Sequence, residues 1–277
     1  MNLFGKGKYK MKRILCIHAL MAFLVFPWTG IYAADTTSIG NKSGYSLKTV
    51  VLDAGHGGHD PGTNWGGVKE KNVVLSITLK VGQLIKEHMP DVKVIYTRED
   101  DSFVELHERA RIANRNQADL FISIHCNANN STRPYGSETY TLGLHRTEDN
   151  FEVAKRENQV IYLEENYEEN YHGFDPNSPE SYIIFSLYQS QNMANSIALA
   201  AKIQQEFRSA GRHNRGVKQA GFLVIRETSM PSVLIETGFI SNPNERQFLN
   251  SSEGQMKMAR SIFNAFKSYK ESLERSN

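Results

Sequence analysis

The sequence predicts a single α/β domain, in which a twisted, mostly parallel mixed sheet has helices on both faces. Two patterns and the composition support this prediction. Short apolar, β-branched runs alternate with longer segments of helical periodicity. Several of these runs are short and apolar enough to be strands buried between helices. The 277 residues are 40% hydrophobic and 22% charged, a globular composition that excludes disordered, collagen-like and coiled-coil chains.

The predicted elements follow one another in a regular order. A first strand at 48–53 runs into a glycine-rich loop at 54–62, and a helix then begins at Asn72 and ends before Pro90. Further strands are predicted at 92–96, 120–124, 138–142, 222–225 and 233–235, and further helices at 104–116, 191–210 and 252–272.

The first 34 residues predict an export signal. Residues 1–13 carry five basic residues and no acid, residues 14–26 form an apolar run, and Ala33 and Ala34 are small residues of the kind found at cleavage sites. A helix that spans a bilayer needs about 20 apolar residues, so this run predicts a cleaved signal peptide; an uncleaved anchor is the alternative. We therefore expect an exported protein, periplasmic or in the extracellular cell wall, with no permanent membrane span. A short polar linker at 35–46 and one catalytic domain at 47–273 would follow.

Charge and cysteine content argue against a nucleic-acid partner and against an intrachain disulfide. Without residues 1–34 the chain has 27 basic and 30 acidic residues, a net charge of −3. Nucleic-acid binders need a basic patch, so a nucleic-acid partner is not expected. Cys16 would leave with the signal, and Cys126 would then have no partner for an intrachain disulfide.

Four side chains with metal or proton chemistry lie near the ends of predicted elements. His56, His125 and Glu236 follow three strands, and Glu70 lies just before the first helix. Sites in open α/β sheets form beyond the carboxyl ends of strands. Two imidazoles and one carboxylate suit a catalytic zinc that keeps a position for water, and the remaining carboxylate can move protons. Taken singly, His125 could be a buried core histidine and Glu70 a helix-start acid stabilised by the helix dipole.

Other catalytic motifs do not fit. The loop at 55–60 lacks the third glycine of a dinucleotide fingerprint, since Asp60 and Pro61 stand there. The sequence has no His-Glu-x-x-His zinc motif and no Gly-x-Ser-x-Gly elbow. Neighbours on a strand point to opposite faces, so Cys126 is expected to be a buried thiol and not a nucleophile paired with His125.

Three strings resemble the zinc-dependent N-acetylmuramoyl-L-alanine amidases. They are VLDAGHGGHDPG at 51–62, FISIHCNA at 121–128 and VLIETGFISN at 233–242. The resemblance covers about residues 48–270 and implies an α/β fold in which His56, Glu70 and His125 bind Zn²⁺ and Glu236 is the catalytic acid. It also implies hydrolysis of the amide bond between N-acetylmuramic acid and L-alanine in peptidoglycan, for cell-wall remodelling or daughter-cell separation.

An acid-rich insertion is predicted at 144–188, between the strand of His125 and the strand of Glu236. Its placement is similar to that of the segment that occludes the cleft in regulated cell-division amidases. A helix at 152–167 could bring a glutamate such as Glu164 or Glu165 to the zinc as a fourth ligand. The enzyme would then stay idle until an activator protein relieves this lid. A solvated surface segment or a wall of the substrate groove is the alternative.

Two other functions remain open at this point. A zinc exopeptidase acting on free peptides would use similar ligands, but it would need a charged pocket for a substrate terminus. A non-catalytic cell-wall-binding module would not need Glu236 together with a full set of ligands.

Overall fold

The protein alternates strands and helices along most of its length. A computed structural model describes residues 46–186 and 192–275. The predicted signal peptide at 1–34 and all but the last residue of the predicted linker at 35–46 lie outside these described residues. The strands are β1 (Thr49–Ala54), β2 (Asn64–Trp65), β3 (Val68–Lys69), β4 (Lys93–Tyr96), β5 (Leu120–Asn127), β6 (Ser137–Leu142), β7 (Asn214–Ala220) and β8 (Ser232–Phe239). The α-helices are α1 (Glu70–His88), α2 (Leu106–Arg115), α3 (Glu148–Asn158), α4 (Tyr167–Asn170), α5 (Met193–Ser209), α6 (Pro243–Leu249) and α7 (Ser252–Arg275).

Six strands form the main sheet in the order β4-β1-β5-β8-β6-β7. Strands β4, β1, β5 and β8 are parallel neighbours. Strand β6 pairs antiparallel with β8, and β7 pairs parallel with β6. The predicted mostly parallel mixed sheet is therefore confirmed. The small strands β2 and β3 form a separate antiparallel pair.

Successive residues of the central strands contribute to two different cores. Val50 and Leu52 pack with apolar residues of α1, α5 and α7 on one face. Val51 and Phe121 pack on the other face with residues of α2 and of the 144–188 insertion. This alternation follows from the pleat of the strand. Burying one of these aliphatic or aromatic side chains stabilises the fold by about 1.5–3 kcal/mol. Helices on both faces of the sheet, as predicted, are confirmed.

Apart from the small strands β2 and β3, which were not predicted, three elements outside the insertion differ from the prediction. The apolar run at 222–225 contains a 3₁₀ helix at Leu223–Ile225 and no strand. Strand β7 was not predicted because it is an edge strand in which only Ala220 is fully buried. Helix α6 was also missed, although its start has a recognisable signal: Asn242 accepts hydrogen bonds from two backbone N–H groups, and proline follows it.

The insertion forms short helices that pack against the domain. After α3 the chain continues in a 3₁₀ helix at Gln159–Leu163, then α4, and then a 3₁₀ helix at Pro179–Ser186. Phe151 and Tyr182 lie buried in the core that this segment shares with α2. The helix predicted at 152–167 thus begins earlier, at Glu148, and breaks at Asn158. Within the described ranges, no helix combines the length and apolar character that crossing a bilayer requires.

Candidate metal centre

Four buried side chains converge beyond the carboxyl ends of β1 and β5. One ligating atom from each of His56, Glu70, His125 and Glu157 lies within 4.8 Å of the others. The Nε2 atom of His56 is 3.2 Å from Oε1 of Glu70 and 3.2 Å from Oε2 of Glu157. The Nδ1 atom of His125 is 3.3 Å and 3.0 Å from the same two oxygens. The structure therefore brings the three predicted ligand residues together and adds a fourth that the sequence did not single out.

The polar atoms at the centre of this cluster fit a metal ion. His56 Nε2, His125 Nδ1 and Glu157 Oε2 are buried and have no hydrogen-bond partner among the described residues. They face a common point at ion-pair distances without the angles of a hydrogen bond. Unpaired buried polar atoms cost free energy, so their convergence indicates a ligand that satisfies all of them. Two imidazole nitrogens with carboxylate oxygens are a donor set that zinc accepts.

Neighbouring groups orient the ligand side chains. Nδ1 of His56 lies 2.7 Å from Oδ2 of Asp60, which leaves Nε2 as the nitrogen that faces the cluster. Glu70, the first residue of α1, accepts hydrogen bonds from the backbone N–H of Cys126 at Oε1 and from that of Thr63 at Oε2. Asp60 was not predicted to orient His56, although its position four residues after His56 in the glycine-rich loop is a usable signal.

Two buried arginines hold the loop that carries His56. The backbone of His56 has a left-handed φ of 61°, which costs about 1–3 kcal/mol for a residue other than glycine. Arg109 donates to the carbonyl oxygen of His56 and to Oδ1 of Asp53, and Arg98 donates to the carbonyl oxygen of Gly55. Burial alone would raise the pKa of Asp53, but Arg109 and two hydroxyl donors outweigh it and lower that pKa. The carboxylate therefore stays charged and fixes Arg109 under the loop.

Glycine at position 55 leaves room for the His125 ring. A Cβ atom at Gly55 would lie 2.3 Å from Cε1 of His125, a contact that no side chain can make. We expect Gly55→Ala to displace the imidazole and weaken zinc affinity by about 10- to 100-fold. Gly143→Ala is the matched control, because its backbone is not left-handed and a Cβ there would approach only the Gln219 side chain, at 3.2 Å. Zinc titration of both variants checks this, and equal affinities for the two would contradict the packing argument.

Glu236 lies beside the cluster with its carboxylate free of hydrogen bonds. It pairs in register with His125 across β5 and β8, and it is fully buried. Neither carboxylate oxygen has a hydrogen-bond partner within the described part of the chain. Burial, and next the negative charge of Glu157, raise the pKa of Glu236 well above its usual range. A raised pKa lets this carboxyl group hold a proton that an ordinary glutamate would release, which suits general acid–base chemistry.

Cys126 takes no part in the cluster. Its thiol is fully buried and lies 3.1 Å from the hydroxyl of Thr237. It packs among apolar residues of the core that contains α1 and α7. The expectation of a buried thiol is confirmed.

Helix α3 of the insertion covers this site. Glu157 joins the cluster, and Arg156 donates hydrogen bonds to the carbonyl oxygen of Ala128 and to Oδ1 of Asn127. A cavity of about 290 Å³ beside the cluster is lined by His56 and Glu70 on one side and by insertion residues on the other.

The prediction that Glu164 or Glu165 approaches the metal is wrong. Glu164 instead accepts hydrogen bonds from the backbone N–H of Leu106, at the start of α2, and from the hydroxyl of Tyr171. Glu165 is exposed. Glu157, in the last turn of α3, is the insertion glutamate that reaches the cluster.

A protein-family model described as N-acetylmuramoyl-L-alanine amidase matches residues 50–268. The chain belongs to this amidase family. N-acetylmuramoyl-L-alanine amidase AmiA of Escherichia coli is 33% identical over 232 residues, which cover 82% of this chain and 78% of that protein. AmiC of Escherichia coli O6:H1 is 33% identical over 79% of this chain and 52% of its own length. Family membership makes this protein an amidase, a hydrolase of amide bonds.

Solved structures agree with this assignment. The N-acetylmuramoyl-L-alanine amidase of Clostridium difficile 630 superposes with a TM-score of 0.63 at 27% identity, covering 82% of this chain and 99% of that one. The CwlD amidase of Clostridioides difficile, solved in complex with the GerS lipoprotein, gives a TM-score of 0.60 at 28% identity, with 80% and 98% covered. The α/β fold predicted from the sequence is therefore that of amidase catalytic domains.

Proposed function

We propose that the protein is a zinc-dependent hydrolase of the amide bond between N-acetylmuramic acid and L-alanine in peptidoglycan. The observation that supports this most directly is the convergence of buried His56 Nε2, Glu70 Oε1 and His125 Nδ1 beside the Glu236 carboxylate, which has no hydrogen-bond partner among the described residues. Three protein ligands with one open position are typical of catalytic zinc sites, whereas structural zinc sites use four. The family match supports the choice of amide bond.

The four residues have separable roles in this reaction. His56, Glu70 and His125 would hold the zinc, which supplies polarisation of a water molecule and of the substrate carbonyl oxygen. Glu236 accepts the proton of the attacking water and then donates it to the nitrogen of the departing alanine. The raised pKa of Glu236 favours its protonated form, which suits the second step, the donation of a proton to the departing amine. The products are a free lactyl carboxyl group on the glycan and a stem peptide with a free amino terminus.

Digestion of purified peptidoglycan by the Glu157→Ala variant, which lacks the insertion carboxylate of the cluster, tests the bond that is cleaved. We expect mass spectrometry to find intact glycan strands and stem peptides that begin with L-alanine. A zinc exopeptidase would instead shorten peptides from one end. A non-catalytic wall-binding module would release nothing, so either of these outcomes would contradict the proposed function.

We propose further that the structure represents a closed, idle state of the enzyme. The Glu157 carboxylate takes the position that a catalytic zinc keeps for water, and Arg156 lies 3.8 Å from Glu236. A substrate amide cannot reach the cluster while α3 stays there. Opening then requires a partner that binds the insertion, and the CwlD amidase in complex with the GerS lipoprotein is a relative with a protein partner. Peptidoglycan as substrate also supports export across the membrane by the predicted signal peptide.

Removing the Glu157 carboxylate is expected to activate the enzyme. In Glu157→Ala the three other ligands still hold zinc, while the position for water opens, so basal hydrolysis of peptidoglycan should rise about 10-fold or more. Glu152→Ala is the matched control, because this glutamate lies on the same helix with an exposed side chain. Dye release from labelled peptidoglycan measures the rate of hydrolysis, and elemental analysis measures the zinc content of both variants. If Glu157→Ala keeps its zinc and hydrolyses peptidoglycan no faster than Glu152→Ala does, the proposal that Glu157 holds the enzyme in a closed, idle state is wrong.

A further inference from the structure

Asn127 lies at the cleft and has no role in the reaction as proposed so far. It follows His125 by two residues on β5, so both side chains lie on the same face of the sheet. The extra residue of the irregular pairing at this point lies on β8, between Glu236 and Phe239, so β5 keeps its alternation. The Asn127 side chain is almost fully buried beneath α3.

Glu138 fixes which end of the Asn127 amide faces the cleft. The Asn127 Nδ2 group donates to Oε1 of Glu138 at 2.6 Å. Arg215, Lys218 and the hydroxyl of Tyr140 also donate to Glu138, so this carboxylate is a pure acceptor. An amide in this position has to turn its NH₂ group to Glu138, and Oδ1 is then left to face the cleft.

One nitrogen of Arg156 occupies the space next to that oxygen. Its Nη2 atom donates to Asn127 Oδ1 at 3.0 Å and lies 3.8 Å from Oε1 of Glu236. This N–H group therefore lies between Asn127 Oδ1 and the proton donor Glu236. The nitrogen of the amide that is cleaved needs the same two neighbours, an acceptor for its N–H and a donor for its lone pair. Oδ1 also accepts from the backbone N–H of Ala128, which leaves its second lone pair for the group in the cleft.

We propose that Asn127 Oδ1 accepts the N–H of the amide bond that is cleaved and holds its nitrogen beside Glu236. This inference rests on the proposed function. When α3 withdraws, Arg156 leaves with it and the substrate N–H takes its place. As the oxygen of water bonds to the lactyl carbonyl carbon, the nitrogen becomes pyramidal. Its N–H, held by Asn127, then directs the new lone pair towards Glu236. The C–N bond breaks, and the proton that Glu236 took from water moves to the departing amine.

A pair of substrates tests this contact. The first is an N-acetylmuramoyl-L-alanyl peptide, and the second is the ester in which an oxygen atom replaces the alanine N–H. The assay uses the full zinc-loaded chain with Arg156→Ala and Glu157→Ala, so that the cleft is open. Adding Asn127→Ala should lower kcat/KM for the amide by about 10- to 100-fold, mostly in kcat, because a lost donor–acceptor contact acts at the reacting nitrogen. The ester offers no N–H, and its hydrolysis should change by less than about 3-fold.

A second variant and a control separate contact from folding. Asn127→Asp, made together with Glu138→Gln so that an amide and a carboxylate still face each other across the same hydrogen bond, keeps an acceptor oxygen in the cleft and should recover most of the amide hydrolysis lost in Asn127→Ala. Asn264→Ala, on the exposed side of α7, should change neither substrate. Equal losses on amide and ester, or a loss of zinc in Asn127→Ala that Asn127→Asp shares, would overturn the inference. An open-cleft enzyme that holds zinc but cleaves neither substrate would instead overturn the proposed function itself.

Discussion

Replacing His56 or His125 by alanine is expected to remove bound zinc and to abolish hydrolysis of peptidoglycan. Each substitution is made in the Glu157→Ala background, where it leaves two of the three proposed ligands, and two protein ligands do not retain zinc in an open site. Both side chains are buried, and each directs one unpaired nitrogen at the cluster centre. The loss should therefore be complete rather than graded. Elemental analysis of the purified variants and release of stem peptides from peptidoglycan measure the two effects.

A matched histidine shows whether the effect is specific. His88→Ala changes an exposed histidine at the end of α1, near Phe263, and should keep both zinc and activity. Full zinc occupancy in His56→Ala and in His125→Ala would contradict the assignment of both residues. Loss of zinc in His88→Ala as well would show that the assay reports on folding.

Glu236→Gln, made in the Glu157→Ala background, is expected to keep zinc and to lose about two to four orders of magnitude in rate. Glutamine has nearly the same shape as glutamate, so the fully buried site should retain its packing. It cannot accept a proton from water or return one to the departing amine. Because the effect lies in the chemical step, kcat should fall while the affinity for peptidoglycan changes little. Stopped assays on soluble muropeptides, with zinc measured in parallel, test this.

Glu253→Gln provides the comparison for that experiment. This glutamate lies on the exposed side of the first turn of α7, and its replacement should leave the rate unchanged. Parent-like rates in Glu236→Gln would mean that Glu236 is structural and that another group moves the proton. A loss of zinc in the same variant would place Glu236 among the ligands.

The sequence predicted the sheet because its central strands are marked by buried apolar runs. Strands β1, β5 and β8 all contain such runs, and their carboxyl ends placed His56, His125 and Glu236 in one cleft. Edge strand β7 carries no comparable signal, since one of its faces is exposed and its side chains are mostly polar. At 222–225 a strand was predicted where none forms, because an apolar, buried run does not distinguish a strand from a single 3₁₀ turn.

In the insertion, the sequence pattern predicts the kind of residue at the site but not its position. An acid-rich segment between two cleft strands was enough to predict a glutamate near the metal, but not which one. That choice depends on the break of α3 at Asn158 and on the contacts of Arg156 with residues about 28 positions away. Glu164 was a reasonable candidate by position, yet it caps α2, a long-range contact that no local pattern records.

The most direct test of this account is a zinc-edge anomalous diffraction measurement on the zinc-loaded protein and on Glu157→Ala. We expect one ion in both crystals, bound by His56 Nε2, Glu70 and His125 Nδ1 at about 2.0–2.2 Å. Glu157 should complete the coordination in the parent, and a water molecule should take its place in the variant. An ion elsewhere, for example at the second cluster of Glu105, His107 and Glu164, or no ion at either site, would contradict the central claim.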